Sequence, residues 1–463
     1  MQKTSEAYRD LSLWHETAGD SWTPRAPLPG DLETDVAIVG AGFTGLWTAY
    51  WLTEQDPSLD IVLLESEVAG FGASGRNGGW CSAIFPASLR RIAKDSSREA
   101  AIQMQHAMNE TVALVGATTK REGIDCDFEQ GGYLSVARNR VQLRRGATEV
   151  ETWRSWGFGE EQIRLLNRAE VAEIANVQGA IGATFTPHCA ALHPAKLVRG
   201  LARVVESRGV RIFEQTAATA IMPRRVPTTR GVVQAKFVVR ATEGYTPQLP
   251  GHHRDIVPMH SLMVATEPLP ESIWASIGLD SRATFSDKRH LRIYGQRTAD
   301  GRLAFGGRGA PYHFGSRIDP SFDRDRRVHK MLASILRDDL FPALQTTRFT
   351  HAWGGNLGIP RDWYPSVTLD RATGSGSAGG YVGDGVATAA LAGRTVADLI
   401  CDRETELTAL PWVGHTGPQW EFEPLRWLGV NAVTALFAGA DVSERTLGRP
   451  SRAASTFWRA LGN

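Results

Sequence analysis

Apolar residues run unbroken from Val36 to Val39 and stop at a glycine cluster; the chain then places Leu46, Ala49, Tyr50 and Thr53 at i, i+3, i+4, i+7. A short apolar run closed by glycine predicts a parallel strand buried on both faces, and the spacing after it predicts a helix. A second run, "LDIVLLE", predicts another buried strand ending at Glu65. Far downstream, "GGYVGDGVATAALAGRTVADLI" repeats the strand–glycine–helix order, with Val386, Ala389, Ala390, Gly393, Val396, Ala397 and Ile400 at helical spacing. Small residues on that face let the helix press tightly on a neighbour. The stretches "DFEQGGYLSVA" (127–137), "IVPMHSLMVATEPL" (256–269), "RHLRIYGQR" (289–297) and "RLAFGGRG" (302–309) alternate small and apolar positions and predict a largely antiparallel sheet. "ATGSGSAGG" (372–380) reads as a flexible turn between strands, "PRAPLPGD" (24–31) as the break after an N-terminal arm, and His193-Pro194 as a helix start with Pro194 at its first position.

The glycines carry the first chemistry. Gly40, Gly42 and Gly45 form GxGxxG directly after a strand and at the mouth of a helix. Gly40 permits the tight turn, Gly42 lets backbone approach a pyrophosphate, and Gly45 lets helix lie on strand, with Phe43 and Thr44 at the helix's positive end. Glu65, followed by Ser66, stands where an acid grips the ribose hydroxyls of an adenosine half. At the second site Gly383 and Gly385 flank Asp384, and Val386 opens the helix. Two glycine-opened helix ends suggest one long ligand with two negative regions, a diphosphate and the N1–C2=O edge of a reduced flavin. The second site also fits an ordinary helix start with Asp384 as its N-cap. The first pattern alone does not separate NAD from FAD.

Bulk properties narrow the classes. The 463 residues suit two or three domains, and a formal charge of +1 gives no reason to expect nucleic acid or an anionic membrane as partner. Cys81, Cys126, Cys189 and Cys401 form no CxxC pair, which points to a reduced, cytoplasmic setting with no structural metal. The N-terminus lacks the pattern of a secretory signal. No segment approaches ~20 uninterrupted apolar residues; the longest candidate, 427–439, is broken by Gly429, Asn431 and Thr434.

Several ordered motifs carry a resemblance. They are "DVAIVGAGFTGLWTAYWL", "IVLLESEVAGFGASGRNGG", "HPAKLVRGLARVVESRGVRIFEQT", "VVRATEGYTPQL", "DGRLAFGGRG" and "GYVGDGV", spread from about Asp35 to Arg403. Together they resemble the FAD-dependent amine and amino-acid oxidoreductases of the D-amino-acid-oxidase-like superfamily, in the gamma-glutamylputrescine-oxidase-like branch. The resemblance implies an α/β Rossmann-type FAD-binding domain, related to that of glutathione reductase, interleaved with an α+β substrate domain on a largely antiparallel sheet. The expected division is an arm at 1–30, FAD-binding segments at 31–95, 188–255 and 350–405, substrate segments at 96–187 and 256–349, and a C-terminal extension at 406–463.

The same resemblance implies that the glycine-rich loop "FGASGRNGGW" approaches FAD, with Ser74, Gly78 and Gly79 giving close backbone and Arg76 and Asn77 donating side-chain hydrogen bonds. It implies adenine-side backbone at Ala218, cofactor contact at Ala241 and Thr242 beside Glu243, and passage of 351–367 along the flavin at Gly354, with Trp353, Asp362 and Pro365 matching. That segment has no cysteine, Gly355 lying near the matching place, and 66–82 contain no histidine, so FAD is expected to be noncovalent. A carboxylate beside a reduced flavin would repel it, so Asp384 is expected to point away or cap its helix.

The implied reaction is oxidation of a CH–NH bond of an amine or amino acid, with hydride transfer to flavin N5 and reoxidation by O2 to H2O2. Candidate substrate-side residues are His260, Tyr294 and Arg292, the last as a cation that helps O2 react; each also reads as an ordinary packed or solvated residue. Trp353, Trp363 and Tyr364 read as pocket wall or as core. Rival readings are a CH–OH dehydrogenase with a non-O2 acceptor, a non-catalytic FAD-binding subunit, and an NAD(P)-only enzyme. The tryptophan-bearing extension reads as packing on the main body or as a subunit contact.

Overall fold

The computed structural model describes residues 4–460, so residues 1–3 of the expected arm and 461–463 of the expected extension lie outside it. Strand β1 (Leu32–Val39), helix α1 (Phe43–Gln55) and strand β2 (Ile61–Leu64) follow the predicted order. Helices α2 (Arg98–Arg121) and α3 (Pro194–Ser207), strand β3 (Val232–Arg240) and helix α4 (Gly385–Ile400) complete this half. β1 is the centre of a seven-stranded sheet, parallel to both β3 and β2, with Ile38 opposite Val239 and Leu63. Its four last residues are all buried, as a central parallel strand requires. Leu46, Tyr50, Val198, Leu201, Ala390 and Val396 belong to one apolar core that α1, α3 and α4 share, and Met104, Met108 and Val112 of α2 join it.

The second sheet has eight strands. It includes β4 (Ile256–Thr266), β5 (Ile293–Arg297), β6 (Leu303–Gly307) and β7 (Phe349–Pro360), in the order β7–β4–β6–β5, then 284–287, 133–137, 182–186 and 164–167. Its pairings are antiparallel except for 284–287 with 133–137. A separate core, with Leu262, Phe285, Phe305 and Leu332, fills one face. Helix α5 (Leu425–Leu447) then runs through Gly429 and Gly439, is tied by Asp441 to the His290 and Leu291 amides just before β5, and is joined by the helix Arg452–Ala460. No helix among the described residues is long and apolar enough to cross a membrane.

Four expectations shift. Ser375–Gly379, expected as part of a flexible turn, is a strand paired to Ser366–Asp370 and β3. Its small residues fit under α4 and beside Leu369, where a Cβ at Gly376 would already stand 3.2 Å from Leu369 Cδ1; the turn itself is the positive-φ Gly374. β7, which the expected division gives to the FAD-binding segments from residue 350, pairs with β4 along its whole length. α2, which the expected division gives to the substrate segments, packs in the core of the nucleotide half. The loop Phe71–Trp80 contains one helical turn, Ala73–Arg76, with Gly75 inside it, where a Cβ would lie 2.2 Å from the Gly70 carbonyl oxygen.

Candidate functional site

The end of β1 and the start of α1 meet where two glycines are sterically required. Gly40 has φ +109°, and a Cβ there would lie 2.5 Å from the Ala241 carbonyl oxygen; a Cβ at Gly45 would lie 2.0 Å from the Gly40 oxygen. No side chain caps α1 from Gly42, although the Phe43 amide donates to Ser74 Oγ at 2.8 Å. Glu65 at the end of β2 accepts from the Ala41 amide (2.9 Å) and the Glu67 amide (3.0 Å), and burial raises its carboxyl above the usual range. Leu46 N returns to Gly42 O at 3.0 Å, so the helix begins in the first turn and presents its N–H end to the space beyond.

That space is a cavity of about 410 Å³. Its walls are the β1–α1 turn (Gly40, Gly42, Phe43, Thr44), the end of β2 (Glu65, Ser66) and the glycine loop (Ser74, Arg76, Asn77, Gly78). Ala218, then Ala241 and Thr242 past β3, and Gly383, Gly385 and Val386 entering α4 close it. Both glycine-opened helices therefore end on one volume. They also touch each other: a Cβ on Gly393 of α4 would stand 2.6 Å from Thr48 N of α1. Three expected residues stand off the cavity. Gly45 is spent on helix–strand contact, Gly79 faces Gln296 and the Leu192 carbonyl, and Gly354 faces Asp323. On β7 the alternation puts Gly355, not Gly354, toward the cavity.

The glycine loop is held by two indoles, one of them, Trp14, not singled out by the sequence. Trp353 Nε1 donates to the Arg76 carbonyl (2.9 Å), and Trp14 Nε1, from the N-terminal arm, donates to the Asn77 carbonyl (2.8 Å). The Arg76 guanidinium, expected to meet the cofactor, is bonded to Asp323 (2.8 Å) and to the Tyr245 hydroxyl (3.1 Å). Asn77 Nδ2 donates to the Ala73 and Ser74 carbonyls, and its oxygen accepts from Gly79 N. Both side chains thus shape the loop, and its backbone forms the cavity wall. A Cβ at Gly78 would lie 2.6 Å from the Tyr294 ring, so this glycine answers to Tyr294.

The substrate-side candidates separate by sheet face. Tyr294 borders the cavity, and its hydroxyl pairs with Ser261 Oγ at 2.8 Å. His260 is buried away from this cavity, with Nδ1 against Asp323 at 2.8 Å, which places it in an Arg76–Asp323–His260 chain. Arg292 opens onto the cavity and onto a second, larger one of about 920 Å³. Tyr133, Arg308, Leu357, Val382 and Asp384 are common to both, so the two volumes join there. The Arg292 guanidinium shows no hydrogen-bonded partner among the described residues; burial disfavours its charge, but Tyr133, Asp384 and Glu149 outweigh it and hold the pKa above normal. Arg308, which the sequence reading passed over, donates to the Val382 carbonyl; burial and then Arg292 lower its pKa.

Asp384 departs from expectation. It occupies the N-cap position of α4 but makes no capping bond, and its side chain borders both cavities. Burial, opposed by Arg292 and Arg308, raises its carboxyl to about 6. Glu243, which accepts from the amides of Gly358 (3.2 Å), Gly380 (2.8 Å) and Tyr381 (3.4 Å), ties β7 to the loop that enters α4; burial raises it to about 6 as well. Trp363 and Tyr364 also diverge: Trp363 borders the larger cavity, whereas Tyr364 and Trp353 are buried core.

These residues fit an extended dinucleotide. Two helix N-termini and a ribose-length acid face one volume, and Trp80 Nε1 and both polar atoms of the Asn356 amide, all bordering it, are buried without partners. Such orphaned groups suit a polar ligand better than an empty apolar void.

Comparison with known proteins agrees. Residues 35–399 match the DAO family, FAD dependent oxidoreductase. The chain is 31% identical over 395 residues to gamma-glutamylputrescine oxidoreductase of Escherichia coli (strain K12), covering 84% of this chain and 88% of that protein. The crystal structure of glycine oxidase from Geobacillus kaustophilus superposes with a TM-score of 0.69 at 21% identity, over 83% of this chain and 100% of that one. L-proline dehydrogenase from P. horikoshii superposes at 0.65 and 20% identity, over 82% and 96%.

Proposed function

The chain belongs to the DAO family of FAD-dependent oxidoreductases, and on that premise we propose that it oxidises the CH–NH bond of an amine or amino acid and passes the electrons to O2. The observation that carries this reading is the junction of the two cavities, where Arg292, Arg308 and Asp384 converge at the start of α4. FAD, when bound, supplies the acceptor for the hydride leaving the carbon next to nitrogen. The chain's own residues do the rest. Gly40–Thr44, Glu65 and the backbone of Gly78 hold the cofactor noncovalently.

Arg292 and Arg308 hold a substrate carboxylate or other negative charge at the junction. Asp384, ionised above about pH 6, accepts a proton from the substrate ammonium, so that the nitrogen lone pair is free as the C–H bond breaks. Tyr294, fixed by Ser261 and packed on Gly78, closes the wall there and excludes water. The product imine takes up water to give a carbonyl compound and an amine or ammonia. The two electrons and two protons removed from the CH–NH unit reduce O2 to H2O2, and a cation at Arg292 favours that step.

The test is direct. FAD-loaded protein is mixed without oxygen with a panel of primary amines, N-methyl amino acids and cyclic imino acids, and loss of the yellow colour is followed. The expected result is bleaching by at least one of them and, on admitting air, peroxide in amounts equal to the amine consumed. Bleaching without peroxide replaces O2 by another acceptor; bleaching by alcohols alone overturns the CH–NH assignment.

A further inference from the structure

We propose that the larger cavity is the distal half of the substrate site, and that the C-terminal segment recognises there an uncharged apolar tail, aromatic by preference, carried by the amine. This rests on the amine-oxidation reading above. Its first support is size and continuity. The cavity is about 920 Å³ and shares Tyr133, Arg292, Arg308 and Asp384 with the cofactor cavity, so a molecule held at that junction reaches into it directly. Glycine or a small imino acid would leave most of such a volume unfilled.

The second support is how charge is distributed over the walls. Its charged side chains away from the junction are largely engaged with one another: Lys288 with Glu149 (2.6 Å), Arg289 with Asp287 (2.6 Å), Arg145 with Glu444 (2.8 Å), Arg361 with Glu421 (2.9 Å). The C-terminal segment gives the cavity an apolar stretch of wall, Val433 and Phe437 of α5, then Phe457 and Trp458 of the last helix, alongside Glu421, Arg426 and Thr434. Phe437 and Trp458 stack at 5.4 Å between centroids, and Trp458 meets Trp363 edge-on at 5.5 Å. Trp363 in turn lies under the Arg308 guanidinium, 5.6 Å from ring centroid to Cζ. The aromatic wall is thus continuous with the polar junction.

Trp363 adopts φ +61°, a conformation that a bulky residue takes only when its surroundings enforce it, and such positions gather at ligand sites. The wall is also fixed in place. Asp441 accepts from the His290 and Leu291 amides (2.7 and 2.9 Å), and Glu444 binds Arg145 and His290. The family match ends at residue 399, so α5 and the last helix lie outside the matched residues, whereas Trp363 lies within them.

The probe pair is butyrate and 4-phenylbutyrate, which share a carboxylate for the junction, lack the nitrogen to be oxidised and differ only in the ring. Binding to FAD-loaded full-length protein is measured by calorimetry. A ring buried against aromatic side chains is expected to tighten binding about ten-fold or more. In Trp458→Ala, and in Val433→Trp, which fills the cavity from a half-exposed position, that preference is expected to fall to about three-fold or less while butyrate binding holds. Equal affinity for the two probes in the wild type, or a preference unchanged in both variants, overturns the proposal. The two failures stay distinct. If no amine bleaches the flavin but the ring preference is present and depends on Trp458, the reaction assignment falls and the tail site stands. If amines bleach the flavin but no ring preference exists, the tail site falls alone.

Discussion

Asp384 shows how one side chain reverses the usual sign of a carboxylate's contribution. Its folded-state pKa, about 6, lies above the unfolded value, so the native state holds the proton more tightly. The stability it contributes is fully present below the ordinary aspartate range and is lost as pH rises through about 6. Asp384→Asn removes that loss. Cofactor-free Asp384→Asn protein should therefore melt higher than wild type at pH 7.5, by an amount worth about 1–2 kcal/mol, and the gap should shrink toward pH 4. A gap that stays constant with pH would mean that Asp384 does not titrate in this range. Gly78 is a case where the residue was legible but its reason was not. Glycine density marks the loop as a close approach, yet only the structure shows that the approach is to the Tyr294 ring, 2.6 Å from a would-be Cβ. Gly78→Val should displace Tyr294, break its bond to Ser261 and yield a soluble protein that has lost most of its yellow colour; full FAD content would show that the ring can yield.

Among elements, α1 and α4 depend on each other. Each presents its N-terminus to the cofactor cavity, and their crossing is set by Gly393, whose Cβ would meet backbone of Trp47 and Thr48 at 2.7 and 2.6 Å. Backbone cannot rotate aside as a side chain does. Gly393→Val should cost about 1–3 kcal/mol in a urea or thermal melt, and should weaken FAD retention because the two helix ends separate together; unchanged FAD content in a destabilised variant would uncouple them. The pattern of Val386 through Ile400 made this helix readable, since small residues at helical spacing mean close packing whatever the partner is. β1, α1 and β2 were readable for the same reason: a central parallel strand and its helix obey local period rules. The strand Ser375–Gly379 was not, because its glycines and serines answer to α4 overhead and not to strand propensity. Nor was the facing of β7, where Gly354 and Gly355 are indistinguishable until register with β4 is known. The indole bonds of Trp14 and Trp353 to the glycine loop were likewise hidden, since 63 residues separate Trp14 from Asn77.

At the scale of the whole molecule, the C-terminal segment determines whether the substrate side is an open cleft or a walled chamber. Its attachment is uneven. Near its start, Arg426 bonds the His253 carbonyl and Asn431 bonds both backbone groups of Tyr312, while its far half relies on Asp441 and Glu444. Glu444 is almost fully buried, and His290 and Arg145 hold its carboxyl down at about 2 against the cost of burial. Its contribution is thus present above the usual glutamate range and lost only as pH falls through about 2, so acidification to pH 4 leaves this anchor in place. Glu444→Ala removes the acceptor and leaves Arg145 and His290 side by side, at a cost of about 1–3 kcal/mol borne locally. Because the N-terminal anchors of α5 remain, the expected outcome is fraying of the last turns and of the helix that follows, with the nucleotide half intact. Trypsin should then cut faster after Arg445 and Arg452 in Glu444→Ala than in wild type, while both keep their FAD. Equal cutting would mean that Asp441 alone secures the wall, and loss of FAD would mean that the wall and the cofactor half are one cooperative unit.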